Sequence, residues 1–206
     1  MKRGFTVVEL MVVVAVIVVL ATVVAVGYQV ARDNSRDSTR RAAAQQVEQA
    51  INTLRLHRDS RLLMGGYGST LTADASGFCQ HSSTYAYTSS TAANWVFYSG
   101  TDTTNYGCTT GSMLLGTKVL SSDFVDRLPE NEEYTVAARK KDAAMVIYRC
   151  DTTNTRWMLF YYVRNQTSDE AASMTSALND CPSISSTVHS QLVNTLKMRG
   201  AIEIKL

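Results

Sequence analysis

Several kinds of residue are missing where they would decide something. Between Glu9 and Arg32 there is no charged side chain, and from Leu10 to Val26 the one polar residue is Thr22, whose hydroxyl can bond back to its own helix. A run so apolar has no place in a small soluble domain. From Gln29 to Met64 there is neither proline nor glycine, so nothing interrupts a helix there. From Cys79 to Gly111 no lysine or arginine occurs, and Asp102 is the single acid. Catalytic and metal signatures are absent as well. His57, His81 and His189 are far apart, with no HExxH, no zinc spacing of Cys and His, and no GxSxG. His57 lies among Arg55, Arg58 and Arg61, a setting for a solvent-facing helix residue and not for a base. Gly65, Gly66 and Gly68 follow a helical stretch and lack the GK[ST] ending of a phosphate loop. Glu132–Glu133 and Asp169–Glu170 read as exposed pairs, and Asn165-Gln-Thr as a chance sequon. No enzyme is expected.

Net charge is also small. The chain carries +2, and without Lys2 and Arg3 it has 18 basic against 18 acidic residues. That excludes a broad electrostatic footprint for nucleic acid and lets identical subunits pack without mutual repulsion.

What is present begins at the first residue: MKRG, FTVVEL, then MVVVAVIVVLATVVAVGYQV. Phe5 to Ala31 would reach roughly 40 Å as a helix at 1.5 Å per residue, enough to cross a bilayer. Lipid offers no partner to backbone N–H and C=O groups, so helix wins there over the strand preference of the many valines. Lys2 and Arg3 hold the leading end on the cytoplasmic side. No small-residue cleavage site follows the apolar core, as one would in a secretory signal. Instead Gly4 separates the basic residues from the run, and Glu9 lies inside its start. An unpartnered carboxylate in lipid costs about 2.5–3.5 kcal/mol or more, so it requires an opposite charge. Cleavage after Gly4 would create one, the α-amine of Phe5, supplied by a neighbouring molecule.

KRG/FTVVEL resembles the class III leader and N-terminus of type IV pilins and type II secretion pseudopilins, over Met1–Val30. The resemblance implies that a prepilin peptidase cuts between Gly4 and Phe5 and N-methylates Phe5. It implies too that Glu9 pairs with the amine of an adjacent subunit during assembly. The expected fold is α+β: a long N-terminal helix, membrane half plus amphipathic half, packed on an antiparallel β-sheet head stapled by disulfides. Residues 1–4 would be the cleaved leader, 5–31 the transmembrane or filament-core half and 32–63 the amphipathic half. Residues 64–206 would be the head, with a Ser/Thr-rich surface lobe at 64–121 and the sheet and D-region-like segment at 132–206.

The implied function is a structural subunit of an extracellular pilus serving adhesion, motility or DNA uptake. Its partners would be identical subunits in a helical filament, the prepilin peptidase, the assembly machinery and the membrane, with the head left to meet host surfaces or DNA. No cofactor or metal is implied. The precursor would sit in the inner or cytoplasmic membrane and the assembled form outside the cell. A pseudopilin of a secretion or competence machine is the alternative within the family. An anchored adhesion or binding domain that never polymerises is the alternative outside it. One departure is that pilins often carry a proline in the membrane half, where this chain has only Gly27 as a breaker.

Beyond the membrane run, Ala43, Val47, Ala50, Ile51, Leu54 and Leu62 recur at helical spacing, extending one helix from Phe5 to about Leu63. Within RDNSRDSTRR, Asp33–Arg36 and Asp37–Arg40 or Arg41 can pair at i,i+3 or i,i+4. The stretch reads as a solvated face just above the membrane, or as contacts to neighbouring subunits. The glycine cluster after Met64 ends the helix. In the Ser/Thr-rich lobe, Tyr85, Tyr87, Trp95, Phe97 and Tyr98 supply material to bury, with Tyr85–Tyr87 and Trp95–Phe97 alternating as short strands do. Ser121–Glu130 reads as a short helical turn ended by Pro129. Strands are expected at Tyr134–Ala138, Ala143–Cys150 and Arg156–Val163, helices at Ser168–Asn179 and Thr187–Met198, and a last strand from Gly200.

Trp157, Leu159, Tyr161 and Val163 share one face of their strand, with Met158, Phe160 and Tyr162 on the other. Such a strand is central and covered on both sides, by the long helix and by the C-terminal segment or a neighbour. The four cysteines, Cys79, Cys108, Cys150 and Cys181, lie on the oxidising side of the membrane and allow three connectivities. The local pairing is expected, Cys79–Cys108 with Cys150–Cys181. The second pair resembles the pilin C-terminal disulfide, worth on the order of 3–4 kcal/mol by chain entropy.

Overall fold

Helix α1 runs without interruption from Val7 to His57, passing through Gly27, in the computed structural model. The structure describes residues 6–57, 94–96, 111, 114–115, 118–150, 156–182 and 184–205. The expected cleavage residues Gly4 and Phe5, the lobe cysteines Cys79 and Cys108, and the stretch from Arg58 to Ala93 with the glycine cluster lie outside them. With no proline to remove a backbone bond and no second glycine, the 51-residue helix has nothing in its sequence to stop it.

Four antiparallel strands form one sheet in sequential order. These are β1 (Asn94–Trp95), β2 (Met145–Arg149), β3 (Arg156–Tyr161) and β4 (Gly200–Lys205). Met145 pairs with Tyr161 and Arg149 with Trp157 across β2–β3, and Tyr161 pairs with Gly200 across β3–β4. Period-2 alternation then divides the core into two layers. Met145, Ile147, Trp157, Leu159 and Tyr161 face α1, meeting Ala44, Val47, Ile51 and Leu54. Val146, Tyr148, Met158, Phe160 and Tyr162 face the other way. There they meet Met174 and Ala177 of helix α3 (Ser168–Asp180), and Val188 and Leu192 of the segment that follows it. Each Leu, Ile or Phe buried this way contributes roughly 1.5–3 kcal/mol. The expected double cover of β3 is present, and the C-terminal segment supplies its second side.

Short elements complete the head. Helix α2 (Phe124–Arg127) ends before Pro129, as the sequence implies. Thr167 opens α3 with a reciprocal capping box, accepting the Glu170 N–H while the Glu170 carboxylate accepts the Thr167 N–H. Cys150 and Cys181 form a disulfide with Cα atoms 4.5 Å apart, tying the end of β2 to the end of α3.

Two secondary-structure expectations fail. Tyr134–Ala138 is not a strand; Ala137–Arg139 is a 3-10 turn. The segment pairs with no strand of the sheet, and without a ladder its backbone has no partners to hold it extended. Thr187–Met198 is not one helix either. Helix α4 (Ser186–Ser190) gives way to a π turn over Gln191–Thr195. Lys197 at φ 54 then reverses the chain into β4, which lets Met198 N–H reach the Leu192 carbonyl at 2.9 Å.

Candidate functional site

At the start of α1 the Glu9 carboxylate accepts hydrogen bonds from the Thr6 backbone N–H at 2.8 Å and the Thr6 hydroxyl at 2.9 Å. The Glu9 N–H donates to Thr6 Oγ1 at 3.3 Å in return. This is a capping box at a helix N-terminus, where the dipole favours an anion. In a single subunit Glu9 thus has partners, and they are neutral. Above it, all the apolar side chains from Val7 to Val30 are exposed, Val7 at 74% and Val24 at 70%. Thr22 returns its hydroxyl to the Val19 carbonyl at 2.7 Å, as its helical position implies. Among the described residues, α1 is the one helix long and apolar enough to cross a membrane.

Where the apolar run ends, the charges of RDNSRDSTRR turn inward. The reading of this stretch as a solvated face holds for Arg32 and the uncharged residues but is wrong for the other five charges, because the head needs partners for its own backbone at this point. Asp37 and Arg40 are fully buried. Asp37 accepts from the backbone N–H groups of Arg164 at 2.9 Å and Asn165 at 2.7 Å, and from Arg40 Nη1 at 2.7 Å. Arg40 Nη2 donates to the Glu130 carbonyl, and the guanidinium lies 4.7 Å from the centre of the Tyr162 ring. Asp33 pairs with Arg164 at 3.1 Å and not with Arg36, which instead bonds Glu132. Arg41 holds both oxygens of Glu170, at 2.8 and 3.0 Å, and donates to the Asn165 carbonyl.

Of the two acidic pairs read as exposed, Asp169 is exposed, whereas Glu132, Glu133 and Glu170 are held in ion pairs. Burial raises the Glu170 carboxyl, but hydrogen bonds from Arg41, the Thr167 backbone and Tyr161 outweigh it and leave the group below its ordinary value. The same contact with Glu170 raises Arg41. Glu133 accepts from the Tyr162 hydroxyl at 3.1 Å and from Arg199 at 2.8 Å. Burial, then the neighbouring carboxylate, pushes the Tyr162 phenol well above its usual range, so it stays a neutral donor.

The prokaryotic N-terminal methylation motif matches residues 1–25. No curated protein and no solved structure matches the chain. Over these residues the chain is type IV pilin-like or pseudopilin-like. Its motif implies processing by prepilin peptidase and entry into pilus assembly, and with the apolar helix it implies membrane anchoring as a precursor. Proteins of this pilin type are structural and not enzymatic.

In this pilin-like chain, the expected assembly residue and the head-docking residues fall on one helix but not in one place. Glu9 is separated from the buried Asp37 by 28 positions, about 42 Å along the axis. Cys150 and Cys181 belong to the far side of the sheet. Asn131 and Arg199 were not singled out by the sequence, and Glu133 and Tyr162 were named there without these contacts. Asn131 is fully buried and bridges the carbonyls of Ala143 and Leu196 at 2.8 and 2.6 Å. The available signal was weak: an asparagine in DRLPENE and a tyrosine on an otherwise apolar strand face. Among the described residues no group of His, Cys, Asp and Glu is placed to hold a metal ion.

Proposed function

We propose that this chain is a structural subunit of a type IV pilus-like extracellular filament, cleaved between Gly4 and Phe5, N-methylated on Phe5, and polymerised through α1. The observation that carries this reading is the apolar surface of α1 from Val7 to Val30, which no part of the described head covers and which carries Glu9 within its first turn. An uncovered apolar surface this long needs lipid before assembly and other helices after it. On assembly, Glu9 exchanges the neutral Thr6 donors for the charged amine of Phe5 on a neighbour, a stronger bond in a medium that screens it little. The Ser/Thr-rich lobe with its aromatic residues favours display on a surface filament, where the head makes contacts with cells, surfaces or DNA, over a short secretion pseudopilus.

The decisive variant is Glu9→Leu. An anchored domain that does not polymerise would insert as well or better with leucine. A filament subunit would be made, cleaved and folded, yet give few sheared filaments when it is the sole copy. Normal filament yield from such cells would remove the role assigned to Glu9.

A further inference from the structure

Nearly all charges on α1 are answered within the chain. Glu9 is held by Thr6, Asp33 by Arg164, Arg36 by Glu132, Asp37 by Arg40 and Arg41 by Glu170. Of the described charged side chains of this helix, Arg32 and Glu48 alone have neither an ion-pair nor a hydrogen-bond partner. Arg32 is exposed and Glu48 half-buried. The exposed positions between them are uncharged, among them Ser35, Ser38, Ala42 and Gln45. One unanswered cation and one unanswered anion thus remain on an otherwise neutral outer surface.

The two cannot reach each other within one chain. They are 16 residues apart, which on a straight helix is about 24 Å of rise and about 160° of rotation. Subunits drawn from one membrane all carry α1 in the same direction, so their helices run parallel. A second copy raised by about 24 Å brings its Arg32 level with Glu48 of the first. Because the two side chains point to nearly opposite flanks, each copy can give Arg32 to one neighbour and receive another neighbour's Arg32 at its own Glu48. That is a heterologous contact, the kind that continues into an open helical array instead of closing.

We propose that Arg32 of one copy pairs with Glu48 of a second, parallel copy staggered by about 24 Å. The contact rests on the filament reading above and adds to it a specific interface in the head layer. Charge complementarity commits it to a second copy; the competing partner for Arg32, just past the apolar run, is a lipid phosphate.

The experiment uses cells making only the wild type, Arg32→Glu, Glu48→Arg or the combined variant, with sheared-filament yield measured beside membrane-bound mature subunit. Each single reversal should lower filament yield roughly tenfold or more at unchanged subunit level. The combined reversal should restore it. Full-length chain carrying Arg32→Cys with Glu48→Cys should give a ladder of disulfide-linked multimers in sheared filaments. Normal yield from both single variants would overturn the proposal while leaving the filament reading intact. Defective singles with no rescue and no ladder would also overturn it, the result expected if Arg32 serves a lipid phosphate. Absence of filaments from the wild type would overturn the filament reading itself, and this contact with it.

Discussion

The two halves of α1 follow opposite rules. From Val7 to Val30 the side chains are apolar and exposed; from Asp33 to Arg41 the side chains are mostly charged, and the central pair, Asp37 and Arg40, is buried. In water this would be an inverted helix. The inversion shows which partner each half was shaped for. The lower half is complete only against lipid or other helices. In the upper half, each described charge from Asp33 to Arg41 has a partner, most of them supplied by the head. Above Arg41 the ordinary rule returns, and Ala44, Val47, Ile51 and Leu54 pack on the sheet. The charged girdle between the two apolar segments therefore fixes where the head sits on the helix. An apolar stripe alone could slip by one turn, whereas Asp37 finds two backbone N–H groups at one height only.

Breaking the girdle should have the largest effect on the folded head. Asp37→Ala removes the carboxylate partner of buried Arg40 and leaves two part-buried backbone N–H groups without their acceptor, and should cost about 3–5 kcal/mol. The shift of the urea midpoint of the detergent-solubilised protein measures it. Arg32→Ala, an exposed charge five residues away, should leave that midpoint in place.

A second contrast uses glycines from the two regions. A methyl group at Gly200 would lie 2.2 Å from Cζ of Tyr161, whose ring crosses the glycine in the sheet and whose hydroxyl reaches Glu170 at 3.1 Å. Gly200→Ala should destabilise the head by about 1–3 kcal/mol, again read from denaturation midpoints.

Acid should loosen the girdle at a defined place. The Glu170 carboxyl lies below its ordinary value of 4.5 in the folded protein, so its stabilising contribution is present above that value and lost as pH falls through the lower folded one. Stability of wild type should drop in this range more than that of Glu170→Gln, and parallel curves would contradict the assignment.

The smallest effect should also have the opposite sign. Nothing lies within 4 Å of a methyl group placed on Gly27. Gly27→Ala should leave the subunit folded and stiffen the membrane half by up to about 0.5–1 kcal/mol. Filament yield then reports whether assembly needs looseness at Gly27: an unchanged yield means that it does not.

Some of this architecture was legible because it depends on neighbours in sequence. The apolar run, the leader at Gly4 and Phe5, Glu9, the alternation of β3 and the nearby cysteines Cys150 and Cys181 are all local patterns. Periodicity or spacing alone carries them, and the covered strand follows from having two apolar faces. The i,i+3 pairing of Asp37 with Arg40 was readable for the same reason. Its burial was not. Whether a charged helix face meets water or protein depends on what the chain brings to it from 96 to 129 residues away. Here that was the backbone of Arg164 and Asn165, together with Glu132 and Glu170. The fate of Tyr134–Ala138 was decided at the same level, because a strand is held only by a neighbouring strand, and this segment is paired with none. By itself the sequence determined the helix, its membrane half and the residues at its start, because lipid and backbone geometry leave few alternatives there. Tertiary structure alone decided which charges of α1 are spent inside the subunit and which two of its described ones, Arg32 and Glu48, are left unanswered, because charges meet through space and not along the chain.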